Sequence, residues 1–78
     1  MDIVIYSKTN CSYCSFARKI LNENNIAYTE YKLDKDFTKD ELLAKVPTAK
    51  TYPVIIIDGE FIGGFSDLKR ILEDKHEI

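Results

Sequence analysis

The sequence of 78 residues contains neither a long hydrophobic run nor a large excess of charge of one sign. Its longest apolar runs span four residues, whereas a membrane-spanning helix needs about 20. The 11 basic and 13 acidic residues nearly balance, so composition predicts neither nucleic acid nor a membrane as a partner. The N-terminus lacks the basic flank and the apolar centre of a secretory signal, and we therefore expect a cytoplasmic location.

Cysteine is scarce, and its placement is informative. The only two cysteines, Cys11 and Cys14, lie three positions apart, whereas small secreted domains use disulfides to join distant segments. Loop entropy alone assigns a bond between them about 2 kcal/mol of stabilisation, because the ring it closes is so short. The pair is therefore a weak structural cross-link and a better candidate for chemistry.

Hydrophobic patterns predict short strands that alternate with helices. In order, these elements are a strand over 2–7, a helix over 11–24, a strand over 27–33, a helix over 38–45, two strands over 54–57 and 60–62, and a helix from about 66. The first strand is apolar without alternation, which is typical of a central strand. The order β-α-β-α-β-β-α predicts an α/β fold in one domain, residues 1–78, with a mixed four-stranded sheet flanked by helices.

Local signals support these boundaries. Thr38 and Glu41 match a capping box, in which each side chain accepts the other residue's backbone N–H. Asp58-Gly59 suits a type I′ hairpin turn, in which both residues have positive φ. Ser66 is a suitable N-cap for the last helix.

The cysteine pair follows the first strand at the start of the first helix. Unpaired N–H groups and the helix dipole favour a thiolate there, and Lys8 adds positive charge. We therefore expect a pKa of about 7 or lower for Cys11. Cys14, one turn later, has its Cα about 5 Å away, within disulfide range, and is expected to be less exposed. Cys11 would attack a disulfide, and Cys14 would resolve the mixed disulfide.

Two other interpretations of the pair stay open. Cysteines one turn apart supply half of a zinc site, but the only other candidate ligand, His76, lies in a charged tail that is expected to fray. Alternatively, the cysteines are structural and the chain is a non-enzymatic binding module, in which Cys11 is as reactive as an ordinary cysteine. The position of the pair after a strand and within a βαβ pattern favours redox chemistry.

Three motifs appear along the chain in a familiar order. They are Lys8-x-x-Cys11-x-x-Cys14, Thr51-Tyr52-Pro53 and Gly63-Gly64-Phe65-Ser66-Asp67-Leu68. With this order and spacing, almost the whole chain resembles a dithiol glutaredoxin. The resemblance implies a thioredoxin-like fold and an oxidoreductase of cell redox homeostasis. Such an enzyme uses glutathione to reduce protein disulfides and protein–glutathione mixed disulfides.

The resemblance also implies roles for individual residues. Pro53 would follow a cis peptide bond and face the cysteines, while the Tyr52 backbone pairs with glutathione as an extended peptide. The implied catalytic residues are Cys11 and Cys14, and the implied glutathione-binding residues are Lys8, Tyr13, Thr51, Tyr52, Pro53, Gly64, Phe65, Ser66 and Asp67. Simpler explanations exist for some of them, such as a solvated loop lysine, a strand start and a strand-to-helix turn.

Ser12 departs from the family's usual pattern, as do Tyr52 and Phe65. The family most often has Pro at the position of Ser12. Some dithiol glutaredoxins with Ser there resemble cluster carriers. In such carriers two subunits hold a [2Fe–2S] cluster through their first cysteines and two glutathiones. Two cysteines per chain cannot complete a cluster alone, so Cys11 would be a ligand only in such a dimer.

Partners follow from the same resemblance. A small redoxin reduced by thioredoxin reductase is an alternative, but the Gly-Gly-x-Ser-Asp pattern favours glutathione as the reductant. We expect a monomer that acts on protein disulfides, with ribonucleotide reductase as a substrate at the level of the family only. No resident metal, nucleic acid or membrane is expected.

Overall fold

The computed structural model describes residues 2–76. Its elements are β1 (Ile3–Ser7), α1 (Ser12–Glu23), β2 (Thr29–Lys32), α2 (Lys39–Lys45), β3 (Val54–Ile57), β4 (Glu60–Gly63) and α3 (Phe65–His76). This is the predicted order. The second strand is shorter than predicted at both ends, and α3 continues to His76 although fraying was expected from Glu73.

The four strands form one mixed sheet in the order β2-β1-β3-β4. β1 pairs in parallel with β2 and antiparallel with β3, and β3 pairs antiparallel with β4. The predicted central position of the first strand is therefore confirmed. In the β1–β3 register Tyr6 lies opposite Val54. Pro53, which directly precedes Val54 in the chain, therefore lies beside the end of β1 that leads into the cysteine loop.

Both faces of the sheet are covered by apolar side chains. On one face α1 and α3 pack on Ile3 and Ile5, and the buried helix residues there are Ala17, Leu21, Leu68 and Leu72. On the other face α2 and its flanks pack on Tyr6 and Val54. Because β1 contributes to both clusters, its unbroken apolar run has a structural explanation. Full burial of each large aliphatic side chain stabilises the fold by about 1.5–3 kcal/mol.

The local signals for α2 and the hairpin are confirmed. Glu41 donates its N–H to Thr38 Oγ1 over 3.2 Å, and Thr38 donates its N–H to Glu41 Oε1 over 2.8 Å. Asp58 and Gly59 both have positive φ, at 52° and 83°, as a type I′ turn requires.

The predicted N-cap of the last helix is wrong by two residues. α3 begins at Phe65, so Ser66 lies inside its first turn and does not cap it. Gly64 occupies the cap position, because its carbonyl accepts the Leu68 N–H over 3.1 Å. Asp67 Oδ2 accepts the Gly64 N–H over 3.1 Å. This is one half of a capping box, and glycine has no side chain to supply the other half.

Among residues 2–76, none of the helices combines the length and the apolar character needed to cross a membrane.

Candidate active site

Cys11 lies at the start of α1, as predicted. It is the N-cap residue, with an extended backbone, and its Sγ accepts the Cys14 N–H over 3.2 Å. Its carbonyl accepts the Ser15 N–H, which is the first bond of the helix, also over 3.2 Å. Asn10, with φ of 54°, turns the chain into this position. The sulfur therefore faces a backbone donor at the positive end of a helix, where a thiolate is stabilised.

Cys11 and Cys14 form a disulfide, with their Cα atoms 5.3 Å apart. Cys14 is completely buried, whereas Cys11 is partly exposed. The expected asymmetry in exposure is thus present. An external thiol or disulfide can reach the sulfur of Cys11 but not that of Cys14. A pair with one accessible sulfur and one buried neighbour can carry out sequential thiol–disulfide exchange.

A groove runs from the cysteines to the start of α3. It consists of two adjoining clefts of about 640 and 370 Å³, which share Tyr13, Thr51 and Tyr52. Eight of the nine predicted glutathione-binding residues line it, namely Lys8, Tyr13, Thr51, Tyr52, Gly64, Phe65, Ser66 and Asp67. The chain therefore brings residues from four separate segments to one surface beside Cys11.

Pro53 is the predicted site residue that does not line the groove. Its side chain is fully buried, and the peptide bond between Tyr52 and Pro53 is cis, as the resemblance implies. A Cβ on Gly64 would lie 3.4 Å from the Pro53 carbonyl oxygen, in van der Waals contact, so the two segments approach each other closely. Pro53 is thus packed behind the residues that line the groove.

Lys8 and Tyr52 are in contact at the cysteine end of the groove. The Lys8 ammonium lies 5.6 Å from the centroid of the Tyr52 ring, within the range of a cation–π interaction. Burial raises the pKa of the Tyr52 phenol above its ordinary value of 10.0, and the negative charge of Asp34 raises it further. The phenol is therefore neutral at physiological pH, and Lys8 supplies positive charge beside Cys11.

The start of α3 offers unpaired backbone donors at the other end. Phe65 and Ser66 begin the helix, so their N–H groups have no acceptor within it. The Gly64 N–H is occupied by Asp67 Oδ2. Oδ1 of the same carboxylate accepts no hydrogen bond from the described residues. A ligand with a carboxylate and an adjacent amine would find a donor pair and an acceptor here.

The zinc interpretation gains no support. No group of three or more His, Cys, Asp or Glu side chains in the described part of the chain is arranged to hold a metal ion. The side chain of His76, the other ligand considered, lies outside that part.

A comparison with protein-family models matches residues 3–62 to the glutaredoxin model. This range covers more than half of the chain and contains both cysteines and the cis-proline segment. The chain belongs to the glutaredoxin family.

Relatives of the family agree with this assignment. The chain is 40% identical to the mouse mitochondrial protein glutaredoxin-2 in an alignment of 72 positions, which covers 88% of this chain but 46% of the mouse protein. It thus spans about half the length of the mammalian relatives that it matches. The cytoplasmic location remains a prediction, and the mouse relative is named as a mitochondrial protein.

Solved glutaredoxin structures have the same fold. Glutaredoxin 1 from Francisella tularensis, complexed with cacodylate, has a TM-score of 0.81 at 30% identity, with 99% of this chain and 98% of that chain covered. A buckwheat glutaredoxin–glutathione complex has a TM-score of 0.80 at 29% identity, with 94% and 69% covered. The thioredoxin-like fold implied by the sequence is therefore confirmed.

One feature of this glutaredoxin site was not predicted from sequence, an aromatic cluster beside the cysteines. Phe16 packs with Tyr13 and Phe65, with ring centroids 5.8 to 6.0 Å apart. Tyr13 and Phe16 are 59% and 48% exposed. The spacing of Tyr13 and Phe16, one helical turn apart, is the sequence signal that would have joined them.

A second unpredicted feature is a hydrogen-bond network behind the cysteine loop. Glu30 Oε2 lies 2.5 Å from Arg18 Nη1 and accepts the hydroxyl of the buried Ser7 over 2.7 Å. Arg18 also donates to Ser15 Oγ over 3.0 Å. Arg18 thus links α1 to Glu30 on β2 and, through Ser15, to the first turn of α1, where the Ser15 N–H binds the Cys11 carbonyl.

Proposed function

We propose that this chain is a glutathione-dependent thiol–disulfide oxidoreductase that reduces protein disulfides and protein–glutathione mixed disulfides. The observation that carries the proposal is the environment of Cys11 Sγ. It is the accessible sulfur of a cystine with Cys14, it accepts a backbone N–H at the start of α1, and it opens onto the groove. A fold alone would not support an activity, whereas this arrangement of donor, sulfur and groove does.

With a mixed disulfide as substrate, the Cys11 thiolate attacks the glutathione sulfur. A new bond forms between Cys11 Sγ and that sulfur, the old disulfide breaks, and the substrate leaves as a thiolate that takes up a proton. A second glutathione thiolate then attacks the same glutathione sulfur. Glutathione disulfide leaves and the Cys11 thiolate is restored. In the net reaction one free glutathione is consumed, and the glutathione disulfide combines it with the glutathione that came from the substrate.

With a protein disulfide, Cys14 takes part. Cys11 attacks one substrate sulfur and forms an intermolecular disulfide, and the other substrate sulfur leaves as a thiolate. Cys14, deprotonated in the exchange, attacks Cys11 Sγ and releases the second substrate thiolate. The product on this chain is the Cys11–Cys14 cystine seen in the structure. Two glutathiones then reduce it through a mixed disulfide on Cys11, the accessible sulfur.

Glutathione would lie along the groove with its sulfur towards Cys11. Lys8 would bind the glycyl carboxylate, and the N–H groups of Phe65 and Ser66 would bind the γ-glutamyl carboxylate. Asp67 Oδ1 would accept from the neighbouring amine. The groove joins these positions through Tyr13, Thr51 and Tyr52. Such placement raises the rate by holding the reacting sulfurs in line.

The test is a coupled assay with a glutathionylated peptide, glutathione, glutathione reductase and NADPH. We expect NADPH oxidation that depends on the protein and on glutathione. A parallel reaction contains thioredoxin reductase in place of glutathione and its reductase. Activity only in the second reaction would mean that the electron donor is thioredoxin reductase and not glutathione. Activity in neither reaction would reject the proposed oxidoreductase activity.

A second candidate function is a [2Fe–2S] dimer, and the unequal exposure of the cysteines favours one ligand per chain. Cys11 is accessible but Cys14 is buried, so the residues of one chain do not fit a cluster that needs four ligands. Two chains and two glutathiones would fit. Anaerobic reconstitution with iron, sulfide and glutathione should then give visible absorbance and a dimer by gel filtration, and colourless monomer would reject this function.

The cellular setting of the proposed reaction rests on family-level expectation. We propose that the chain acts as a monomer in the cytoplasm on protein disulfides, with ribonucleotide reductase as one substrate to assay. Size-exclusion chromatography of the reduced protein tests the monomer, and a coupled assay with oxidised ribonucleotide reductase tests that substrate.

A further inference from the structure

A further cavity, of about 320 Å³, lies on the face of the sheet that α2 covers. Its lining comes from β1, β2, the loop before α2 and α2 itself. None of its eight lining residues belongs to the groove beside Cys11. Its volume is at the lower end of the range for small-molecule sites. The cavity is therefore a candidate site for a small ligand, separate from the redox site.

Three aromatic rings line this cavity. Tyr6 and Phe37 are buried and pack edge to face, with their ring centroids 5.0 Å apart. Tyr31, whose ring centroid lies 5.5 Å from that of Tyr6, is exposed and continues the aromatic surface outwards. Aromatic rings pack against apolar groups, and their faces also attract cations. The surface thus suits a molecule that combines an apolar body with a positive charge.

Tyr6 brings an unused polar group to the cavity. The residue is only 7% exposed, yet its hydroxyl forms no hydrogen bond within the described part of the chain. Every wholly enclosed side-chain oxygen or nitrogen there has a hydrogen-bond partner, so this hydroxyl reaches the accessible space that its ring borders. A buried side chain whose polar group lacks a partner is uncommon in a folded protein. A ligand in the cavity would supply that partner.

Two exposed carboxylates, those of Asp36 and Glu41, also line the cavity. Each uses one oxygen within the fold. Asp36 Oδ2 accepts the Lys32 N–H over 2.9 Å, and Glu41 Oε1 accepts the Thr38 N–H over 2.8 Å. The second oxygen of each carboxylate accepts no hydrogen bond from the described residues. Both carboxylates therefore have an acceptor to offer to a ligand.

Lys45, the basic residue of the lining, leaves this negative charge uncompensated. It lies one helical turn after Glu41, yet the two side chains form no ion pair in the described structure. Lys45 is exposed in the last turn of α2, where its charge interacts favourably with the helix dipole and its long side chain extends into solvent. Two carboxylates and one ammonium leave a net charge of −1, which a single positive charge would balance.

We propose that this cavity binds a small organic cation, in which an ammonium group is attached to an aromatic or branched apolar body. The apolar body packs on Phe37 and Tyr31, and the ammonium donates to the Tyr6 hydroxyl and to the carboxylates of Asp36 and Glu41. A neutral molecule would leave the charge of the lining unbalanced, and an anion would be repelled. The site goes beyond the proposed redox function and does not depend on it, because neither cysteine takes part.

Three small molecules with the same phenyl ring test the ligand class: 2-phenylethylammonium, 2-phenylethanol and 3-phenylpropionate. Each is titrated into the oxidised, ¹⁵N-labelled protein, and the amide signals are followed by NMR. We expect the ammonium to saturate with a dissociation constant of about 1 mM or below, with shifts at Tyr31 and Glu41. The alcohol should bind at least roughly five-fold more weakly, and the carboxylate should not saturate.

Four results would overturn the proposal. The first is no saturation by the ammonium, and the second is equal affinity for the ammonium and the alcohol. The third is a set of shifts confined to groove residues such as Tyr13 and Gly64. The fourth is tighter binding of free phenylalanine than of 2-phenylethylammonium, because that would bring Lys45 into the site and make the ligand a zwitterion.

A matched pair of variants in the first turn of α2 separates the cavity from net charge. Glu41→Gln removes one charge from the lining but keeps an acceptor for the Thr38 N–H, so the capping box is retained. Asp40→Asn removes the same charge from the neighbouring exposed position, which does not line the cavity. Glu41→Gln should weaken binding of 2-phenylethylammonium roughly five-fold, and Asp40→Asn by less than about two-fold. Equal losses would assign the effect to net charge and reject the site.

Tyr6→Phe tests the buried hydroxyl. The ring stays, and no hydrogen bond of the described structure is lost, so the urea midpoint of unfolding should not fall. Binding of 2-phenylethylammonium should nevertheless weaken roughly three-fold, because its hydrogen bond to the hydroxyl is lost. Unchanged affinity in a variant of unchanged stability would show that the hydroxyl does not meet the ligand, and the proposed site would be rejected.

Discussion

The backbone N–H of Cys14 donates a hydrogen bond to Cys11 Sγ over 3.2 Å. The buried residue of the pair thus provides a donor for the sulfur of the accessible one. Hydrogen bonding to the charged form and the dipole of α1 both lower a thiol pKa. The same short segment therefore supplies the nucleophile, its activation and, in the Cys14 thiol, the group that resolves it.

Replacing each cysteine should separate the two reactions. Cys14→Ser retains the backbone N–H that faces Cys11, so reduction of a glutathione mixed disulfide should persist while reduction of a protein disulfide is lost. Cys11→Ser should abolish both reactions. The coupled assay on a glutathionylated peptide and on a disulfide-bonded protein measures this. Loss of mixed-disulfide activity in Cys14→Ser would contradict the assigned roles.

The Glu30 network should contribute to stability. Glu30→Ala removes the acceptor of Arg18 and of the buried Ser7 hydroxyl, and we expect the free energy of unfolding to fall by about 1–2 kcal/mol in urea titrations. Glu30→Gln keeps an acceptor for Ser7 and should lose less. As a control, Lys69→Ala breaks only an exposed pair and should change stability by less than about 0.5 kcal/mol. Equal losses in the two alanine variants would contradict the network.

Gly63 should be essential for the α3 end of the groove. Its φ is 126°, and a Cβ there would lie within van der Waals overlap of the Asp67 carboxylate that binds the Gly64 N–H. Gly63→Ala should therefore lower stability by about 1–3 kcal/mol and raise the KM for glutathionylated substrate.

Gly59→Ala is the matched control for that variant. Gly59 also has positive φ, at 83°, but a Cβ there would meet nothing within 4 Å. It should lower stability without a change in KM. If both variants raise KM equally, backbone strain alone would account for the effect, and Asp67 would have no role in the groove.

Tyr52 should make stability depend on pH in the alkaline range. Its folded pKa lies above 10.0, the ordinary value that applies to the unfolded chain. The unfolded state therefore loses this proton first, and the stabilisation is complete below pH 10 and declines as the pH rises above it. Urea titrations at about pH 8 and pH 10.5 should show a smaller decline for Tyr52→Phe than for the original protein. An identical decline would contradict the raised pKa.

Features that depend on neighbours in sequence were predictable. The Thr38–Glu41 capping box and the Asp58-Gly59 turn each involve residues within four positions, so composition at those positions decides the geometry. The N-cap position of Cys11 followed from a strand that ends just before a helical pattern. The N-cap of α3 was harder to predict, because Ser66 and Asp67 are both residue types that occur at helix N-termini. Only the structure shows that Gly64 is the N-cap and that the Asp67 carboxylate accepts its N–H.

Features that join distant segments were not predictable without the family resemblance. Ser7, Arg18 and Glu30 belong to three elements, and no local spacing indicates that β1, α1 and β2 bring them together. The groove was anticipated only because the resemblance supplied its residues from separate segments.

The most direct test of this account is the pH dependence of the reactivity of Cys11. The rate of alkylation by iodoacetamide should be measured on the reduced Cys14→Ser variant, where Cys11 is the one remaining thiol. An activated Cys11 should react at half its maximal rate at about pH 7 or lower. A midpoint at about pH 8.5, as for free cysteine, would contradict it.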